Sequence, residues 1–282
     1  MNAMIDAPSG QAHSGSGGAA RIRDAFARAK ARQRCALLPF VTAGYPDLAT
    51  TARLLAELPA AGADLIEVGF PFSDPIADGP VIAESMHRAL LAGVNPAAIF
   101  ECVRSAGPTV PVLAMVSHSI VHRIGVTRFI EDAVASGFAG FIVPDADPVD
   151  AAALSRIASS HGAGFCGLVS PSSSAERVRA VAALSTGFVY LLARAGVTGV
   201  SAEAPEIGAR ARELRALSAA PIAAGFGIST AEHVAVVGRD ADGAIVGSAI
   251  VRAMTEALEK NESAVDAALS LVRQLSREPI RS

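Results

Sequence analysis

Glu67 stands inside an apolar run, between Ile66 and Val68, and the segment after it (FPFSDPIADGP) carries Asp74 and Asp78 among Pro and Gly residues. A carboxylate is costly to bury unless it has a partner or a task. Desolvation also raises its pKa, which suits a general acid/base. Spacing alone leaves two readings open: an acid/base group, or a structural carboxylate that holds the Gly/Pro loop. Two glycine-bearing turns come late in the chain, Gly225-Phe226-Gly227-Ile228-Ser229 and Gly247-Ser248-Ala249-Ile250, the second opening a helical stretch. Glycine lets backbone approach a ligand closely, and a helix N-terminus offers free N–H groups to an anion. These turns are therefore candidates for a phosphate cradle, the alternative being two ordinary strand-to-helix turns. Between the two regions, Tyr190–Gly199 (YLLARAGVTG), with Arg194 and Thr198, has the composition of a lid over a phosphorylated ligand.

Those groups need a scaffold that brings strand ends together. The strand candidates are Ala36–Thr42, Leu65–Val68, Val112–Val116, Gly140–Val143, Gly164–Val169, Phe188–Leu192, Pro221–Ala224 and Gly243–Val246. Each is a short apolar run without strict alternation, as expected for strands buried on both faces. Helical stretches intervene, among them Leu48–Ala61, Val126–Ser136, Ala175–Ser185 and Glu206–Leu217. Asp47, Thr127, Ser174 and either Ser229 or Thr230 are candidate caps, and Gly247–Leu258 is a final helix. The alternation predicts a single α/β domain, a (β/α)₈ TIM barrel with an extra N-terminal helix. A doubly wound open sheet is the alternative, but Phe40-Val41-Thr42-Ala43-Gly44 is not its dinucleotide-binding turn. In a barrel the chemistry lies at the C-terminal ends of strands, where Glu67 and both glycine turns fall.

Composition supports that scaffold. Hydrophobic residues make up 51% of the 282, aromatics only 5% with no Trp, so the core is Ala, Val, Leu and Ile. A net charge of -3 argues against a generic polyanion binder. The basic stretch Arg21, Arg23, Arg28, Lys30, Arg32 and Arg34 is read as the solvated face of an outer helix with Ile22, Phe26 and Ala29 beneath. Cys35, Cys102 and Cys166 lack metal-ligand spacing and fit a reducing, cytoplasmic location. Residues 1–20, Gly/Ser-rich and without a secretory pattern, are expected to form a disordered tail, with the barrel at 21–275 and a flexible C-terminus at 276–282.

Four blocks then resemble the tryptophan synthase α-subunit family: LLPFVTAGYPD (Leu37–Asp47), Glu67 with PFSDPIADGP, Tyr190 with GVTG, and GFGIS with IVGSAIV. The resemblance runs from about Arg23 to about Glu259. It implies a lyase that splits indole-3-glycerol phosphate into indole and glyceraldehyde 3-phosphate in tryptophan biosynthesis. The glutamate matching Glu67 moves protons to indole C3 and from the glycerol hydroxyl, and the aspartate matching Asp78 hydrogen-bonds the indole N–H. Tyr190 matches an active-site tyrosine, while Gly199, Gly227, Gly247 and Ser248 match phosphate-binding positions. Arg194 and Thr198 belong to the lid, and Phe40, Ile142 and Ser117 to the indole pocket. The resemblance further implies an αββα complex with a β subunit that carries pyridoxal phosphate. In this chain it implies no cofactor, and nothing in the sequence asks for a metal, nucleic acid or a membrane.

The sequence departs from the family after the third strand, where Met115-Val116-Ser117-His118-Ser119-Ile120-Val121-His122 replaces an aromatic residue followed by Asn. That removes an aromatic wall and a side-chain amide at the indole end and near the expected β contact. His118 and His122, four apart, invite a metal reading, but no third ligand is evident. A substrate-side contact and an ordinary loop are the other readings. His87, His161 and His233 are expected to be surface or capping residues. The departure keeps a stand-alone lyase or diverged paralogue open as a rival, and a non-catalytic phosphate-binding regulatory subunit is a second. Retention of Glu67 and Asp78 argues against the latter.

Overall fold

The computed structural model describes residues 17–74, 79–192, 207–225 and 227–276. Helix α1 (Gly18–Ala31) precedes β1 (Ala36–Thr42), and α2 (Leu48–Ala61) leads to β2 (Ile66–Gly69). Helices α3 (Pro80–Leu91) and α4 (Pro96–Ala106) lead to β3 (Val112–Met115), and α5 (His118–Ile124) and α6 (Val126–Ala135) to β4 (Phe138–Ile142). Helix α7 (Pro148–Ser160) precedes two short strands, β5 (Gly164–Phe165) and β6 (Leu168–Val169). Then come α8 (Ala175–Leu184), β7 (Val189–Leu192), α9 (Gly208–Leu217), β8 (Ile222–Gly225), α10 (Ala231–Val237) and β9 (Gly243–Val246). Helices α11 (Ser248–Glu259) and α12 (Ala264–Leu275) complete the described chain.

All strand pairs are parallel, in the order β5-β4-β3-β2-β1-β9-β8-β7-β6. The two ends of that order are halves of one expected strand, Gly164–Val169. Cys166 donates its N–H to Phe141 on one side, and Tyr190 donates to the Gly167 carbonyl on the other. The chain between β5 and β6 thus closes the ring, and the fold is the expected (β/α)₈ barrel with its fifth strand in two pieces.

Residues along β1 alternate between two cores. Ala36 and Leu38 belong to the barrel interior with Leu65, Leu113, Ile142, Phe188, Tyr190 and Ile245. Leu37 and Val41 belong to the layer between strands and helices. Helix α1 joins the interior: its Ile22, Ala25, Phe26 and Ala29 are buried there, and Phe26 meets Phe188 edge-on at 5.6 Å. Its amphipathic stripe therefore closes the N-terminal mouth of the barrel.

Several expectations are corrected. Helix α1 begins at Gly18, inside the predicted tail, because Gly17 and Gly18 press on Gly162 and Ala139. A Cβ on Gly18 would stand 2.3 Å from the Ala139 carbonyl oxygen. Asp47, Ser174 and Thr230 cap their helices, but Thr127 does not, since Gly125 both ends α5 and caps α6. The last predicted helix is followed by α12, whose apolar face is buried. The Ser117–His122 segment is capped helix rather than open loop.

Candidate active site

Glu67 owes its place to strand alternation. Ile66 and Val68 face the helices, so Glu67 points inward, in register with Phe40 of β1 and Leu113 of β3. It is fully buried, and among the described residues neither carboxylate oxygen has a hydrogen-bond partner. Burial alone pushes its carboxyl well above the usual carboxylate range, so the group holds a proton where an exposed glutamate is ionised.

Above it, at the C-terminal ends of the strands, lies a cavity of about 350 Å³, a size suited to a small ligand. Phe40, Phe70, Phe72, Ile82, Met86 and Met115 supply an apolar end. Phe70 and Phe72 stand in the FPF run after β2; the Phe70 ring packs outward against Phe100, Phe129 and Phe138 and meets the cavity only at its edge. Ser117, Asp145 and Asp74 add polar groups to the lining. Ser117 Oγ donates to Asp145 at 2.6 Å, and the His118 N–H donates to the other Asp145 oxygen at 2.7 Å.

The cavity also reaches Gly227, Gly247 and Ser248. Gly227 adopts φ +82, a left-handed conformation that side-chain-bearing residues rarely take. Gly247 is the N-cap of the 12-residue α11, so the first N–H groups of that helix open at the cavity edge. Tyr190 lines the cavity from β7 and lies against Gly225, where a Cβ would stand 2.5 Å from its hydroxyl oxygen.

The structure brings together Tyr190, Gly227, Gly247, Ser248, Phe40 and Ser117, with Glu67 beneath them as a neighbour of Phe40. Ile142 is wholly buried in the barrel interior, in register with Met115, and is not among the residues that line the cavity. Asp78, Arg194, Thr198 and Gly199 lie outside the described residues. His233 also departs from expectation, being buried, with its ring Nδ1 3.2 Å from the Gly227 carbonyl oxygen. Sequence reasoning missed Asp145 and His233 as site neighbours, and only the Pro-Asp pair after β4 hinted at the former. His118 and His122 rings stand 5.9 Å apart, with His118 Nε2 3.4 Å from Asp150. Among the described residues no group of three or more His, Cys, Asp or Glu residues is placed to hold a metal. A second, more open hollow of about 460 Å³ lies at the other end of the barrel beside α1, lined by Arg23, Lys30 and Arg215. It holds neither an unpaired carboxylate nor a glycine cradle.

Known proteins agree with this geometry. The family model described as tryptophan synthase alpha chain matches residues 26–278. The tryptophan synthase alpha chain of Gloeobacter violaceus is 42% identical over 241 residues, covering 84% of this chain and 87% of the relative. That of Citrifermentans bemidjiense is 45% identical over 235 residues, 82% and 88% of the two chains. Among solved structures, a tryptophan synthase alpha subunit from Legionella pneumophila superposes with a TM-score of 0.83 at 34% identity, covering 92% of this chain and 98% of that one. A chain of M. tuberculosis tryptophan synthase in its aminoacrylate-bound form gives 0.80 at 32%, covering 93% and 99%. Family match, relatives and barrel geometry coincide, and the chain belongs to the tryptophan synthase alpha chain family.

Proposed function

We propose that the chain is a lyase that cleaves indole-3-glycerol phosphate to indole and glyceraldehyde 3-phosphate, acting as the α subunit of a tryptophan synthase. The observation that carries this reading is the wholly buried Glu67, without a hydrogen-bond partner among the described residues, under an apolar cavity with a glycine and helix-terminus cradle at one edge. The ring of indole suits the Phe-rich end, and the phosphate suits the backbone N–H groups near Gly227, Gly247 and Ser248. Glu67, protonated by burial, delivers its proton to indole C3 once its side chain turns up into the cavity. That step interrupts the aromatic ring and makes it an electron sink. The resulting carboxylate takes the proton of the side-chain hydroxyl next to C3. The C–O bond becomes a carbonyl, the C–C bond to the ring breaks, and its electron pair restores the indole. The proton given equals the proton taken, so no cofactor or water is consumed. Asp78 is assigned to the indole N–H, where a carboxylate stabilises the positive charge of the protonated ring.

The reading gives the chain a β-subunit partner carrying pyridoxal phosphate, in an αββα assembly, and a cytoplasmic location. No described helix is long and apolar enough to cross a membrane. The replaced segment Ser117–His122, now the start of α5 at the cavity wall, favours a second reading as a stand-alone lyase. Indole release by the purified chain, alone and with a heterologous β subunit, decides between them. Weak release that rises strongly with β is the expected result, and strong release that β does not change selects the stand-alone enzyme. No release from folded protein under either condition rejects both.

A further inference from the structure

His233 is the one histidine of the described chain that the fold buries, with 6% of its surface exposed, yet it lies on no interior face of the barrel strands. It sits on α10, where its N–H is capped by Thr230 Oγ1 at 3.1 Å, so its backbone position is set by the turn after β8. From there its ring Nδ1 reaches back to the carbonyl oxygen of Gly227 at 3.2 Å. A carbonyl oxygen only accepts, so Nδ1 carries the proton of this bond. Gly227 is also the residue of the turn with φ +82, and both Gly227 and Ile228 line the cavity.

We infer that His233 is a positioning residue for the phosphate cradle: it holds the Gly227 carbonyl turned toward α10, so that the Ile228 N–H is presented to an anion in the cavity. The peptide is planar and trans, so fixing the carbonyl on one side fixes the N–H on the other. A glycine peptide is free to flip, because Gly populates both signs of φ, and a flipped peptide presents a carbonyl oxygen to the phosphate. One buried donor behind the turn removes that choice before the ligand arrives, which is where preorganisation gains affinity. The inference rests on the reading that this cradle takes the substrate phosphate.

The test uses the full chain, with glycerol 3-phosphate binding followed by calorimetry and lyase kinetics measured beside it. His233→Leu removes the donor while filling the space. It is expected to raise both the glycerol 3-phosphate Kd and the substrate KM by about tenfold, with kcat changed less than about twofold. His233→Asn is expected to restore most of the affinity, since its amide nitrogen lies as many bonds from Cα as Nδ1 does. That rescue separates a donor role from packing, which asparagine fills poorly. If the leucine variant does not fold, His233→Ser, too short to reach Gly227, takes its place. Parent-like affinity in a folded Leu or Ser variant overturns the inference, as does an equal loss in Asn or a parent chain that binds no glycerol 3-phosphate. Failure of the lyase reading looks different: the parent then binds glycerol 3-phosphate in a His233-dependent way and releases no indole.

Discussion

At Glu67 stability and chemistry pull in opposite directions. The carboxyl has no hydrogen-bond partner among the described residues, and burial holds its pKa well above the usual range. Unfolded, the same group releases its proton at a pKa of about 4.3. Between that value and the raised folded value the folded chain binds the extra proton, so stability falls as pH rises through this window. The contribution is fully present only below the unfolded pKa. Glu67→Gln removes the titration, and its melting temperature is expected to decline less than the parent's from pH 5 to 8. The same variant is expected to lose about 10²- to 10⁴-fold in kcat, the usual worth of general acid–base catalysis. Thermal unfolding across pH, paired with indole release, checks both. Identical pH slopes in variant and parent would show that the buried carboxyl does not hold its proton. Glu67 is legible in sequence because an acid inside an apolar strand breaks its pattern. His233 is not, because its partner Gly227 becomes meaningful only once the turn has taken its left-handed form.

At the scale of elements, α5 is a seven-residue helix, too short to be stable by its own hydrogen bonds. Its start is held from another loop: Asp145, after β4, accepts from both Ser117 Oγ and the His118 N–H. The bond spans 27 positions, which is why local periodicity could not reveal the helix. By contrast α2, with its cap Asp47 bonded to the Thr50 N–H, was legible to the residue, because cap and apolar stripe lie in one short window. The fifth strand was legible as a run but not as two pieces, since the break depends on its pairing with β4 on one side and β7 on the other. Asp145→Ala removes both bonds at the cavity wall. We expect a loss of about 1–2 kcal/mol in denaturant unfolding, comparable to removal of a helix cap. Ser117 and Val116 then loosen, so substrate KM rises while kcat changes little. An unchanged KM alongside the stability loss would mean that packing alone keeps the wall in place.

Across the whole molecule the two ends of the barrel do different work. The upper end carries the cavity, the glycine cradle and Glu67 just below them. The lower end is sealed by α1 and tied by two aspartates that enter strands. Asp64 accepts from the Leu37 N–H at 2.9 Å and forms a two-pronged pair with Arg34. Asp242 accepts from the Ile222 N–H at 2.9 Å and pairs in the same way with Arg215. Each aspartate thus links the start of one strand to its neighbour and to a cation from the preceding connection. Only the Arg34–Asp64 pair is well shielded, its two side chains 18% and 10% exposed, so it is the more consequential. Asp64→Ala strips partners from both a partly buried guanidinium and a strand N–H, and the expected cost is about 3 kcal/mol. Because the damage lies at the mouth opposite the cavity, kcat and KM of the folded fraction should match the parent. Glu67→Gln has the reverse profile, with activity lost and the fold kept. Chemical denaturation and steady-state kinetics on both variants test the division. A kcat loss in Asp64→Ala as large as its stability loss would mean that the strands transmit strain along the barrel, and that its lower end belongs to the catalytic machinery.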